Sequence, residues 1–207
     1  TEYERQRYGR ILHLMKRIHL HPADIENDAS VLQIMDAVQP EECYHLASQS
    51  YVRDSFRDPF SVFQTNINGT LHMIQAIKAR APACKFYFAG SSEMFGKAAE
   101  VPQTETTRFH PRSPYGISKV TGFDITRNFR EAYGMFACSG ILFNHESPRR
   151  GDIFVTRKIT KGIADIITGK SDHVELGNMD AERDWGYAPE YVEAMWLMLQ
   201  QPKPEDY

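Results

Sequence analysis

An apolar run, CKFYFAG at residues 84–90, stands between two amphipathic segments, and this order constrains the fold more than any other feature. Such a run reads as a buried strand. Before it, residues 59–80 read as one long helix, with Phe63, Ile67, Leu71, Ile74 and Ile77 at helical spacing. After it come a polar loop rich in Thr, Pro and Arg (97–112) and then Ser113-Pro114. Ser113 reads as an N-cap with Pro at the first helical position, opening a helix expected to run to about Ala132. The alternation continues in both directions. Residues 18–22, 43–47, 135–143 and a short stretch near 173–176 read as strands, and 29–38, 153–168 and 188–200 as helices. This order predicts an α/β fold, a doubly wound parallel sheet with helices on both faces.

The 207 residues suffice for one large α/β domain, or one domain plus part of another, and 42% hydrophobic content can fill a core. A net charge of −3 points to neither nucleic acid nor an anionic membrane surface. No apolar run approaches the roughly 20 residues that span a bilayer, and residues 1–5 have no apolar leader segment. Cys43, Cys84 and Cys138 are scattered and form no C-x-x-C, which reads as a reduced, cytoplasmic protein. No His/Cys cluster has ligand spacing, so no metal is expected.

A doubly wound nucleotide-binding sheet ordinarily opens with a glycine-rich turn that cradles a pyrophosphate. The 13 glycines contain no trio at that spacing. Either the fold binds no dinucleotide or its first β-α-β portion lies outside this chain, and the other motifs favour the second reading. Residues 1–145 are then a partial dinucleotide-binding domain with the catalytic groups. Residues 146–207 are part of a smaller substrate-binding region interleaved with the sheet.

Two motifs carry chemistry. Ser91-Ser92-Glu93 follows the apolar strand at the end where open α/β sheets bind ligands. In an extended chain the i, i+2 spacing sends Ser91 and Glu93 to one side; the alternative is a helix cap with an acid in its first turn. Tyr115 and Lys119 are four apart on a helix and share a face. A neighbouring ammonium favours the phenolate and lets tyrosine act as a base near neutral pH; alone, the pair reads as an ordinary surface contact. NHESPRRG (144–151) is unusually polar for a post-strand turn. His145 is a candidate for nicotinamide or ribose, and Arg149 and Arg150 for phosphate; the bland reading is a charged helix-capping loop. Arg183 is a candidate for a second phosphate with Trp185 as packing support; the bland reading is a surface ion pair beside a core Trp.

Together these residues resemble the extended short-chain dehydrogenase/reductase family, and within it the GDP-mannose 4,6-dehydratases. The resemblance runs through HPADIEND (21–28), YHLASQSYV (44–52), NINGT (66–70), FAGSSEMFGK (88–97), PRSPYGISK (111–119), NFREAYGMFACSGILFNHESPRRG (128–151), FVTRKI (154–159) and ERDWGYAPEYVEAMWLMLQ (182–200). It implies conversion of GDP-mannose to GDP-4-keto-6-deoxymannose by C4 oxidation, loss of water across C5 and C6, and hydride return to C6. Tyr115 is implied as the base on O4, Lys119 as its electrostatic partner and a ribose ligand. Ser91, where the family usually carries Thr, is implied to bond O4, and Glu93 to be the acid/base at C5. Asp24, Ile25, Leu46, Ala47, Ser48, Ser50, Lys119, His145 and Arg150 match cofactor positions. Ser92, Asn144, Val155, Thr156, Lys158 and Arg183 match nucleotide-sugar contacts. The implied cofactor is NADP, with NAD not excluded, and the implied assembly is a homo-oligomer, dimer or tetramer, paired through helices 59–80 and 113–132.

Departures accompany the match: Phe63 near a cofactor-contacting Tyr, Tyr51 for a common His, a stretch 53–65 about two residues longer, and a chain shortened at both ends. Two other readings stay open: a different nucleotide-sugar dehydratase or 4-epimerase, and a catalytically inactive fragment. Glu93 weighs against an epimerase, which needs no base at C5.

Overall fold

The computed structural model describes residues 8–207. Residues 1–5, read above as carrying no apolar leader segment, lie outside the described residues. In chain order the helices and strands are α1 (Asp28–Val38), β1 (Glu42–His45), α2 (Val52–Ser55), α3 (Pro59–Phe63) and α4 (Gly69–Arg80). They continue with β2 (Lys85–Ala89), α5 (Pro114–Tyr133), β3 (Ala137–Gly140), β4 (Asn144–Glu146), α6 (Val155–Ile167), β5 (Trp185–Tyr187) and α7 (Ala188–Gln200). Two compact units result, both discontinuous in sequence, where the reading above drew one boundary after residue 145. One joins Ala23–Phe143 to Glu190–Tyr207; the other joins the stretch up to Pro22 to Asn144–Pro189.

The larger unit is a parallel three-stranded sheet in the order β1-β2-β3. β2 lies in the middle because both its faces are apolar. Phe86 and Phe88 point to one face, against Val31 and Met35 of α1, Ile74 and Ile77 of α4, and Phe123 and Phe129 of α5. Tyr87 and Ala89 point to the other, against Cys138 of β3 and Met195 and Leu199 of α7. Helices therefore cover both faces, as the alternation predicts. The free edge of β3 is taken by the chain's last residues: Tyr207 N–H donates to Ser139 O (2.9 Å) and Ile141 N–H to Tyr207 O (2.7 Å). Arg130 clamps this edge with a two-pronged bond to Asp206 (2.9 and 2.6 Å), whose carboxylate also accepts from Ser139 N–H.

Ser113 caps α5 as expected, its Oγ accepting from Gly116 N–H at 3.0 Å with Pro114 in the first turn. The helix ends at Gly134, whose φ of +65° suits a residue without a Cβ. Other expectations are corrected. Residues 59–80 are two helices joined by a π turn, Gln64–Asn68, in which Gly69 N–H reaches back to Gln64 O. A five-residue closure widens the helix and turns Asn66 inward, to 3% exposure. Hydrophobic spacing alone does not reveal one extra residue. Residues 18–22 are not a strand; the chain there is mostly exposed, pairs with no sheet edge and meets Pro22, which has no N–H to donate. Residues 173–176 are likewise irregular. The smaller unit instead pairs β4 and β5 as a short parallel ribbon. NHE and WGY are too short and polar to announce themselves.

Gly122 is where α5 meets the sheet: a Cβ there would sit 2.3 Å from the Phe88 ring. Alanine raises helix propensity by about 1 kcal/mol, but displacing a buried ring costs about 1–3 kcal/mol. Gly122→Ala is expected to lower unfolding stability by about 1 kcal/mol in urea titration; a gain would mean that the ring yields freely.

Candidate active site

β2 delivers its last residues to the carboxyl end of the sheet. Gly90 passes so close to β3 that a Cβ would meet Gly140 O at 2.9 Å. Ser91 is extended (φ −155°), and its Oγ accepts from Glu93 N–H at 3.3 Å. The chain then turns through a 3-10 segment, Ser92–Met94. The capping alternative therefore describes Ser91, and the side-by-side extended arrangement of Ser91 and Glu93 is not adopted, because the backbone bends at Ser92. The turn packs on the start of α5, where a Cβ at Gly116 would lie 2.6 Å from Glu93 O. The glycine next to Tyr115 thus lets the Glu93 turn and the tyrosine-bearing turn approach.

Tyr115 and Lys119 are buried, at 8% and 4% exposure, which excludes the surface-pair reading. Lys119 Nζ donates to Ala89 O at 2.9 Å and lies 5.7 Å from the Tyr115 ring centroid. Burial pulls the Lys119 ammonium down to about 8. Burial first, and the charge of Lys119 second, pull His45 at the end of β1 down to about 4.

The segment after β1 is held at the same end. Gln49 N–H donates to Asn66 Oδ1 (2.8 Å), and Asn66 Nδ2 donates to Gln49 O (3.2 Å) and to Ser118 Oγ (3.0 Å). Ser118 in turn donates to Tyr115 O at 2.7 Å. Leu46 is exposed, while Ser48 Oγ is buried without a hydrogen-bond partner. Asp24 and Ile25 reach this end too. Asp24 Oδ1 accepts from Glu26 N–H, Ile25 fills the space over Gly69, and His72 Nδ1–H donates to Ile25 O. One unit therefore gathers Asp24, Ile25, Leu46, Ala47, Ser48 and Ser50 with Ser91, Ser92, Glu93, Tyr115 and Lys119. Sequence reasoning gave no role to His45, Asn66, Thr70 and Ser118, although YHLASQSYV, NINGT and PRSPYGISK contain them.

The smaller unit gathers the rest. Asn144 Nδ2 donates to Asp184 O at 3.1 Å, and His145 pairs with Gly186 across β4 and β5. Glu146 receives the Arg150 guanidinium at 3.1 Å and the Thr156 hydroxyl, while Arg150 stacks on Phe154 at 3.6 Å. Arg149 donates to His13 Nε2 at 2.8 Å. Val155 opens α6 with Lys158 one turn on, both exposed. Arg183 bonds the neighbouring carbonyl of Glu182. Trp185 is 53% exposed and is not the packing support expected of it.

The cysteines are unsuited to chemistry, since burial pushes Cys43 up to about 12 and Cys84 to about 11. Among the described residues, no group of three or more His, Cys, Asp or Glu could hold a metal, and no helix is long and apolar enough to cross a membrane. A cavity of about 420 Å³, lined by Gln39–Glu42, Ala81–Lys85 and Gln200, lies at the opposite, amino ends of β1 and β2. It is remote from the gathered side chains.

Lys119 makes a testable demand on stability. Its folded pKa, about 8, lies below the ordinary 10.5. Between those values the unfolded chain holds a proton that the native chain lacks, so stability rises with pH across that window. Below pH 8 the full penalty applies, about 3 kcal/mol for a nearly buried group. Lys119→Met removes it and forfeits about 1 kcal/mol for the bond to Ala89 O. Without cofactor, Lys119→Met is expected to unfold at higher urea than its parent at pH 7, with the gap closing towards pH 10.5. A parent more stable at pH 7, with no convergence, contradicts this account.

A family model described as GDP-mannose 4,6 dehydratase matches residues 2–207. GDP-mannose 4,6 dehydratase 2 of Caenorhabditis elegans is 50% identical over 190 residues, covering 91% of this chain and 50% of that protein. GDP-mannose 4,6 dehydratase 2 of Arabidopsis thaliana is 52% identical over 192 residues, covering 91% and 51%. The chain thus spans about half the length of the curated relatives it matches. Among solved structures, RMD from Pseudomonas aeruginosa complexed with NADPH aligns with a TM-score of 0.86 at 27% identity, over 96% of this chain and 73% of that one. UDP-glucose 4-epimerase of Thermotoga maritima with UDP-glucose aligns at 0.81 and 27%, over 93% and 62%. DesIV, a dTDP-glucose 4,6-dehydratase of Streptomyces venezuelae with NAD and TYD bound, aligns at 0.76 and 20%, over 89% and 56%, a likeness of fold alone. With a family match over nearly its whole length and a doubly wound parallel sheet to carry it, this chain belongs to the GDP-mannose 4,6-dehydratase family.

Proposed function

We propose that this chain carries the catalytic groups of a hydro-lyase that converts GDP-mannose to GDP-4-keto-6-deoxymannose. The observation that carries the reading is the buried convergence of Lys119 and Tyr115 with the Ser91–Glu93 turn at the carboxyl end of β2. The family relatives supply the substrate, since those matched at about half identity bear the GDP-mannose 4,6-dehydratase name.

The roles are those the family resemblance implies, and the geometry supports them. Lys119, anchored on Ala89 O, remains an ammonium below about pH 8. That positive charge beside the ring favours the phenolate of Tyr115, which takes the sugar O4 proton. Ser91 Oγ already accepts from Glu93 N–H, so its own hydroxyl proton is left to donate to O4. Oxidation at C4 acidifies the C5 proton, which Glu93 removes, and the same carboxyl group assists water leaving from C6. A bound nicotinamide dinucleotide supplies the hydride acceptor at C4 and the donor at C6. The fit for such a group rests on the Leu46–Ser50 segment at the strand ends, where Ser48 Oγ is buried without a partner. Asp24, Ile25, Leu46, Ala47, Ser48, Ser50, Lys119, His145 and Arg150 are assigned to it. Ser92, Asn144, Val155, Thr156, Lys158 and Arg183 are assigned to the nucleotide sugar. RMD, solved with NADPH, supports NADP, although DesIV was solved with NAD. A cytoplasmic homo-oligomer completes the reading, supported by exposed Phe60 (78%) and Ile117 (44%) on the helices expected to pair.

The experiment uses the full-length protein. It is expected to turn over GDP-mannose in preference to UDP- or dTDP-glucose; a preference for either of the latter overturns the substrate. Glu93→Gln is expected to lower product formation by about 10²–10⁴-fold while reduced cofactor accumulates from C4 oxidation. Tyr115→Phe should abolish both steps. Glu93→Gln at parental rate would favour a 4-epimerase, which has no work for a base at C5.

A further inference from the structure

We propose that His45 is a positioning residue of this site: its neutral imidazole donates from Nε2 to Thr70 and thereby holds the π turn, and through it the Tyr115 turn, beside Lys119. The inference rests on the reading of Tyr115 and Lys119 as the catalytic pair. His45 ends β1 and is 3% exposed. Its Nε2 lies 3.0 Å from Thr70 Oγ1. The hydroxyl proton of Thr70 is already given to Asn66 O, at 2.6 Å. The Thr70 oxygen must therefore accept, and the imidazole proton sits on Nε2. Nδ1 is left as a buried lone pair with no hydrogen-bond partner.

From Asn66 the chain of bonds continues. Its carboxamide donates to Ser118 Oγ at 3.0 Å, and Ser118 donates to Tyr115 O at 2.7 Å. A run of buried polar groups thus joins the end of β1 to α4, the π turn and the first turn of α5. Apart from His45 Nδ1, every side chain along this path has a partner, and buried networks of this kind favour one arrangement.

The surroundings explain why the donor is a neutral imidazole. Thr70 faces it from α4, Phe86 and Phe88 from β2 and Lys119 from α5. Its ring lies 6.0 Å from Phe86 and 6.2 Å from Phe88, and Lys119 Nζ lies 5.1 Å from that same Phe88 ring. A cationic donor here would place a second buried charge against the ammonium. A protonated imidazole would also bury a new Nδ1–H with nothing to receive it.

Two measurements on the full-length protein decide the matter. In nitrogen-15 NMR of histidine-labelled enzyme, His45 is expected to show the Nε2–H tautomer, unchanged from pH 8 down to pH 5. An Nδ1–H tautomer, or titration near the ordinary histidine midpoint, overturns the proposal. In kinetics, His45→Leu is expected to lower kcat about tenfold, the weight of one hydrogen bond, with KM for GDP-mannose unchanged. His45→Gln, which restores an Nε2 donor, should recover most of the loss. Equal losses in the two variants, or a change in KM alone, overturn it. If His45→Leu does not fold, Thr70→Val takes its place: loss of the single-tautomer signature supports the proposal, and an unchanged signature overturns it. Should the parent enzyme fail to turn over GDP-mannose, the dehydratase reading falls while the tautomer measurement still decides the role of His45.

Discussion

Burial of β2 on both faces is the constraint on which the larger unit depends. Phe86 and Phe88 need helices α1, α4 and α5 on one side, and Tyr87 and Ala89 need α7 on the other. A strand so covered can only be central, and parallel neighbours joined by helical crossovers are the arrangement that covers it. The same geometry delivers Gly90, Ser91 and Glu93 to the carboxyl end of the sheet, against the start of α5. Fold and candidate site are consequences of one apolar pentapeptide and the helices it recruits.

The site is a place where stability is given up. A buried ammonium is unfavourable, and Lys119 donates to the backbone carbonyl of Ala89. Its Nζ lies 5.1 Å from the Phe88 ring centroid and 5.7 Å from that of Tyr115, and such faces attract cations, which offsets part of the burial. Under the proposed roles, the charge is held where a developing phenolate would lower its cost. The smaller unit handles charge in the opposite way. Arg150 there is matched by Glu146 and stacked on Phe154, so its charge is neutralised within the unit. The clamp of Arg130 on Asp206 is purely architectural by comparison, tying the last residues of the chain to β3.

Much of this was legible in advance, and the reasons differ by element. CKFYFAG announced a strand because the run is continuously apolar. Ser113-Pro114 announced the start of α5 because an N-cap oxygen and a missing N–H are local requirements. Tyr115, Lys119, Ser91 and Glu93 were visible as reactive residue types at suitable spacing. What failed were elements decided by partners. IHLHP has strand composition but finds no edge to pair with, and NHE pairs with WGY across forty residues of sequence. The π turn failed for another reason, since one residue of extra closure leaves the hydrophobic period nearly intact.

By itself, then, the sequence determined the fold class, the strand at CKFYFAG, the N-cap of its long helix and the candidate reactive residues. All of these follow from local backbone chemistry and the pattern of apolar residues. Only the tertiary structure decided that Ser91 caps a turn, that Lys119 is buried against Ala89 O, and that His45, Thr70, Asn66 and Ser118 form one polar path to Tyr115. Hydrogen bonds between residues 25 and 52 positions apart leave no periodic trace in a chain, and the dielectric around an ammonium is set by whatever the fold packs over it.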